Sequence, residues 1–150
     1  MAVRCATPPA MKKWLTHRSP FLDDLAKLAI RVPAGLFLAA HGLAKVGNVS
    51  GFATGLAERG FPLPTFFAWA ATLSELVGGA LVALGLLARP AAFFAGITMV
   101  VAVLSTHAHQ VKQIGSGQGV GFEYPVLLGA VFFGIMIAGA GRFSLDQRGR

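Results

Sequence analysis

Six side chains that can hold, give or take a proton gather toward one end of an otherwise apolar chain: His41, Lys45, Glu75, His107, His109 and Glu123. Each lies within or beside a long hydrophobic run, where a charge costs at least about 2.5 kcal/mol on insertion scales and is a functional suspect by default. At about 1.5 Å per helical residue, His41 sits roughly 8 Å below the end of its run. Lys45, four residues on and on the same face, sits about 2 Å below it. Glu75, in the next run, falls roughly 15 Å from the same side, near mid-bilayer and about one turn deeper than His41. His107 and His109 leave the third run at that side, and Glu123 enters the fourth there. Glu75 is expected to pair with Lys45 or His41, either in an ion pair that fixes helix register or in a pocket for a small polar head.

Other chemistries have less to stand on. His41 and His107 share a depth on different helices, which would allow a bis-His haem or a His/Glu metal site in principle. Nothing in the spacing demands one, and no metal is expected. No serine occupies a nucleophile elbow. The single cysteine, Cys5, leaves no internal disulfide and no CxxC redox pair. The residues around Cys5 do not read as a lipoprotein cleavage site, nor the first twenty as a signal peptide.

The elements that must position these groups are transmembrane helices. The chain has 150 residues, 55% of them hydrophobic and 13% charged, with a mean hydropathy of +0.65. Soluble domains carry roughly 25% charged residues, so a chain with half that needs another solvent. The predicted architecture is all-α, an antiparallel bundle of four transmembrane helices with spans near 25–46, 65–87, 91–106 and 124–140. Residues 1–19 form a basic arm, and 20–150 the transmembrane domain.

Ser19-Pro20 with Asp23 and Asp24 reads as a capped helix start, and Pro33 is expected to kink the first span. Between residues 48 and 64, Phe52, Leu56 and Phe61 suggest a short interfacial helix. Arg89-Pro90 makes a tight turn between spans two and three, so these are antiparallel neighbours. The Gly-rich stretch 107–123 reads as a loop. The fourth span, at about 17 residues, sits at the lower limit for crossing roughly 30 Å of hydrocarbon.

Charge sets the orientation. Ten of the 13 Lys and Arg lie in the arm with Arg31, the Arg89 turn and the tail. Only Lys45, Arg59 and Lys112 lie toward the other side. The positive-inside rule therefore predicts both termini in the cytoplasm and the polar cluster in the outer half. The net charge of +7 is topogenic. No aromatic-studded basic face is present, and no nucleic-acid partner is expected. Arg31 and Arg142 are expected to snorkel to lipid headgroups as anchors.

Three stretches carry a resemblance. They are Arg31-Val32-Pro33-Ala34-Gly35-Leu36-Phe37 running on to His41-Gly42-Leu43-Ala44-Lys45, then Glu75 with Gly78-Gly79 and the turn from Gly85 to Arg89, and finally Gly139-Ala140-Gly141-Arg142-Phe143-Ser144-Leu145-Asp146. Together and in order they resemble the DoxX family of small four-helix membrane proteins. The resemblance implies a bacterial inner (plasma) membrane protein, a subunit of a quinone-linked redox complex that docks a redox-enzyme partner or presents quinone to it. The rival it leaves open is a non-catalytic assembly, scaffold or cargo-binding protein. An autonomous enzyme is not expected. A quinone is the one cofactor that the outer-half cluster would suit.

Overall fold

The structure, a computed structural model, describes residues 19–106, 121 and 123–148. All regular structure among them is helical. Helix α1 spans Pro20–Val46, α2 Val49–Glu58, α3 Pro64–Leu84, α4 Ala88–Thr106, α5 Glu123–Ala138 and α6 Leu145–Arg148. Three of them, α1, α3 and α4, are long and apolar enough to cross a membrane. α5, with 16 residues, is shorter.

Helix α1 begins five residues before the expected span and continues through Pro33. Pro20 occupies its first turn, but the Ser19 side chain makes no capping bond. The Ser19 carbonyl instead accepts from the Asp23 N–H at 3.0 Å. The buried residues of α1 (Asp24, Arg31, Ala34, Gly35, Leu38 and Gly42) recur every three, four or seven positions, so one stripe faces the bundle. That stripe meets α3 at backbone distance. A Cβ placed on Gly79 would stand 2.6 Å from the Ala39 nitrogen, and one on Gly42 2.7 Å from the Leu76 Cα. Small residues thus bring α1 and α3 together where no side-chain interdigitation would fit. Gly78, beside Gly79, faces α4 instead: the nearest neighbour of a Cβ there would be the Ala91 carbonyl at 3.6 Å.

Helix α4 uses the same device against α5. Its face of Ala91, Ala92, Ala95 and Met99 receives Leu128, Phe132 and Ile135 in the main core cluster. Helix α2 lies in the connector where Phe52, Leu56 and Phe61 pointed to one. With Val49, Ala53 and Leu56 it forms a second cluster on Ala68 of α3. The outward surface is apolar: Phe37, Leu104, Leu127 and Ile137 are each 62–74% exposed. Water would not tolerate so continuous a hydrocarbon coat on a small protein, whereas lipid would.

Candidate functional site

The polar residues of α1 and α3 meet where the close approach of the two helices makes them meet. Gly42 rests on the backbone of Glu75 and Leu76. Lys45, three residues further along α1, is thereby carried over the Glu75 side chain. Its Nζ donates to Glu75 Oε1 at 2.5 Å. The Glu75 side chain is 3% exposed and that of Lys45 33%, so the lysine reaches inward from the rim. The same ammonium stands 5.0 Å from the centre of the Phe52 ring, a cation–π contact from α2.

Glu75 lies on a single π-helical turn, Ser74–Gly78, set into α3. One extra residue in the turn shifts the face that α3 presents, and such turns occur frequently at functional sites. Its second oxygen, Oε2, is buried and has no hydrogen-bond partner among the described residues. A buried carboxylate oxygen left unpaired costs on the order of 1–3 kcal/mol or more, so the arrangement needs something to offset it. Beside it is a cavity of about 170 Å³ lined by Leu38, His41, Lys45, Glu75, Met99, Ala102, Gly121, Tyr124 and Pro125. The His41 ring lies against the Tyr124 ring, centroids 4.9 Å apart and planes tilted by 49°.

Of the six residues singled out from sequence, His41, Lys45 and Glu75 share this cavity. Glu123 does not: it is exposed at the start of α5 and lines none of it. The neighbouring Tyr124 is the residue that enters, and sequence reading missed it. Its signal was an aromatic hydroxyl one position inside a span, on the level of His41. His107 and His109 lie outside the described residues. Among the described residues no group of three or more His, Cys, Asp or Glu converges as a metal site.

A second polar constellation holds the other end of the bundle. Arg31, expected to snorkel outward, is instead 2% exposed and donates from Nη2 to the Phe143 carbonyl at 3.1 Å. The reason is the chain after α5. Gly139 and Gly141, both at positive φ, turn it back over the α3–α4 connection, and the resulting strap covers Arg31. Gly85, at φ 71°, leaves the space that the guanidinium occupies, since any Cβ there would strike Arg31 and Ser144. Asp146 then caps α4 from outside its own helix. Oδ1 accepts from the Leu87 N–H at 2.8 Å and Oδ2 from the Ala88 N–H at 3.1 Å, while the Asp146 N–H donates to the Gly85 carbonyl at 3.0 Å. The Ser144 hydroxyl donates to the Gly141 carbonyl at 2.7 Å. The closing Gly-x-Gly-x-x-Ser-Leu-Asp segment is therefore a structural strap. Arg142 stays exposed; its backbone N–H donates to Asp24 Oδ1 at 3.2 Å.

Apolar spanning helices, a hydrocarbon coat and charges confined to the interior and the ends define a small helical integral membrane protein. A family model described as DoxX matches residues 26–108, more than half of the chain, and the chain belongs to the DoxX family. The matched region contains Arg31, His41, Lys45 and Glu75 but neither Tyr124 nor the strap. An uncharacterized membrane protein of Mycobacterium tuberculosis is 34% identical over 158 aligned positions, which cover 99% of this chain and 93% of that protein. CatD of Bacillus subtilis, whose name assigns it provisionally to the oxidoreductases, is 27% identical over 82% of this chain and 86% of its own. No solved structure matches the chain significantly.

Proposed function

We propose that this protein is the membrane subunit of a quinone-linked oxidoreductase system, and that the His41–Lys45–Glu75–Tyr124 cavity takes the head of the quinone. The observation that carries the reading is the Glu75 Oε2, buried beside the cavity with no partner among the described residues. It asks for a ligand that can donate a hydrogen bond. A volume of about 170 Å³ lies below the roughly 300–1,000 Å³ of pockets that enclose whole ligands. It suits a single polar ring whose apolar tail stays outside among lipid-facing side chains. When bound, a quinone would supply two-electron, two-proton redox chemistry.

The protein's own residues would bind and move protons there. Lys45 donates to Glu75 Oε1, leaving Oε2 to accept from a ligand hydroxyl. The His41 imidazole and the Tyr124 hydroxyl are the groups able to donate to a carbonyl oxygen. The name of the Bacillus relative agrees with an oxidoreductase role. Among the described residues no electron-carrying ligand set converges, and in this reading electrons come from a docked redox-enzyme partner. The test is to purify the protein in mild detergent, extract its lipids and titrate a short-tailed hydroquinone, the reduced form that carries the hydroxyl donor. Co-purifying quinone, or binding at micromolar concentration that Glu75→Gln weakens at least tenfold, is expected. Absence of both would leave the assembly or scaffold role as the better account.

We place the protein in the bacterial plasma membrane with α1, α3, α4 and α5 as four spans and both termini cytoplasmic. The reading rests on the charge count and on the packing of α5 along α4. At 16 residues α5 is about 24 Å long, short of a roughly 30 Å core, and local thinning of the bilayer accommodates such a helix at modest cost. Single cysteines at Thr54 and Gln147, in a Cys5→Ser background, are expected to label oppositely in intact cells. An impermeant reagent should reach position 54 only. Labelling at position 147 alone would invert the topology.

A further inference from the structure

The end of the bundle held by the strap carries a larger opening that the quinone reading does not use. A cleft of about 560 Å³ lies between the first turns of α1, the α3–α4 turn and the strap. Three cations line it, Lys27, Arg89 and Arg142, together with the acids Asp24 and Asp146. Both acids are already engaged. Asp146 spends both oxygens on the N–H groups of Leu87 and Ala88. Asp24 Oδ1 accepts from the Arg142 N–H and stands 3.9 Å from Lys27 Nζ. Among the described residues, neither the Arg89 nor the Arg142 guanidinium has a carboxylate within ion-pair distance. The Arg89 guanidinium lies over the backbone at Gly139, where an added Cβ would stand 3.4 Å from its Nε. The cleft therefore keeps two uncommitted guanidinium forks on a floor whose own negative charge is spoken for.

We propose that this cleft binds the phosphate of an anionic phospholipid headgroup, with Arg89 and Arg142 on the phosphate and Lys27 at the rim. Planar guanidinium forks match phosphate oxygens in pairs, which makes arginine the side chain suited to this recognition. The shared chemistry is a phosphate ester, and two features select a lipid over a soluble one. Leu87, exposed, lines the opening, and the exposed Leu86 and Phe143 are chain neighbours of lining residues; all three would lie against acyl chains. The apolar helices α3, α4 and α5 also all end or begin at this level, where headgroups of a surrounding bilayer lie.

The test uses the full chain in nanodiscs and in detergent. Native mass spectrometry would count the phospholipids retained from equimolar phosphatidylglycerol and phosphatidylcholine. The double variant Arg89→Gln/Arg142→Gln would be compared with Arg59→Gln, a charge-lowering control outside the cleft. Retention of phosphatidylglycerol over phosphatidylcholine by at least tenfold is expected in the parent and in Arg59→Gln. The double variant should lose that preference while keeping its thermal midpoint in detergent. Equal retention of both lipids by the parent, or an unchanged preference in the double variant, would overturn the proposal. So would displacement of the bound lipid by millimolar inorganic phosphate or glycerophosphate, which would point to a soluble phosphate ester. Melting of the double variant alongside loss of lipid is resolved by Lys27→Gln, which removes no hydrogen bond among the described residues, only a 3.9 Å ion-pair contact with Asp24, and should lower the preference alone. If it leaves the preference intact, the cleft is not the site.

Discussion

Where α3 turns into α4, both oxygens of Asp146 meet backbone N–H groups, and the strap seals Arg31 behind Phe143 and Ser144. Where α1 approaches α3, Glu75 has one oxygen paired with Lys45 and the other, among the described residues, with nothing. Each end buries a charge, but the two buried charges are treated differently. Arg31 also has groups with no partner among the described residues, Nε and Nη1, yet it lines neither cavity described above and is packed against Gly85. Its unmet hydrogen bonds belong to a lock that the chain closes on itself. The unmet oxygen of Glu75 stands beside open space on a π-turn. The difference separates a structural charge from one kept available: the first is covered by the protein's own backbone, the second by whatever enters.

The comparison breaks first at Arg31. Arg31→Ala removes a fully buried side chain, leaves the Phe143 carbonyl without its donor and takes away the cation whose field Asp146 shares. A loss of about 3–5 kcal/mol is expected, the scale for removing one partner from a buried charged arrangement, read as a fall in thermal midpoint in detergent. Arg31→Lys should recover little, because an ammonium cannot span the place of a guanidinium fork. Asp146→Ala should cost less, about 2 kcal/mol. It removes two charge-assisted bonds to the N–H groups at the start of α4, where Leu87 is already held at φ 48°. A parent-like midpoint for Arg31→Ala would mean that the strap is ornamental and that the two ends do not differ as argued.

What the sequence made legible follows from what helical rise alone determines. Depth along a helix is arithmetic, so His41, Lys45 and Glu75 could be placed at compatible levels before any contact was known. Arg31 was misassigned by the same arithmetic. Its depth near a helix end is compatible with snorkelling, and only the turn-back of residues 139–146 over it decides otherwise. That return is a tertiary event whose local trace is two glycines at positive φ, a trace that also suits a simple helix stop. Tyr124 was passed over because an acid one position earlier drew the assignment, and the rotation of α5 about its axis is fixed by Leu128, Phe132 and Ile135 packing on α4. The π-turn leaves no pattern of its own in Ser74-Glu75-Leu76-Val77-Gly78. It is seen only once Gly42 is found against its backbone.

The smallest stability effect and the most informative one are expected at Glu75. Glu75→Gln keeps the shape and still offers Lys45 an amide oxygen, and Lys45 is one-third exposed, so it can turn to the rim and be solvated. The cost should stay below about 1 kcal/mol, as for ion pairs that water can reach. Glu75→Ala also removes the packed stem beside Gly42 and enlarges the cavity, and should cost about 2 kcal/mol or more by the cavity rule. Ligand binding should order the variants differently. An acceptor oxygen kept for a donor is lost in Gln, whose amide nitrogen takes its place, as completely as in Ala, so both should weaken hydroquinone binding at least tenfold despite their unequal stability. The measurement is detergent thermal stability beside a hydroquinone titration for the two variants and the parent. Should Glu75→Gln bind like the parent while Glu75→Ala does not, the second oxygen is irrelevant and Glu75 is a packing residue like those at the other end. Should stability and binding fall together in proportion for both, the cavity is merely a flaw in the packing of α1 on α3, and the distinction between the two ends disappears.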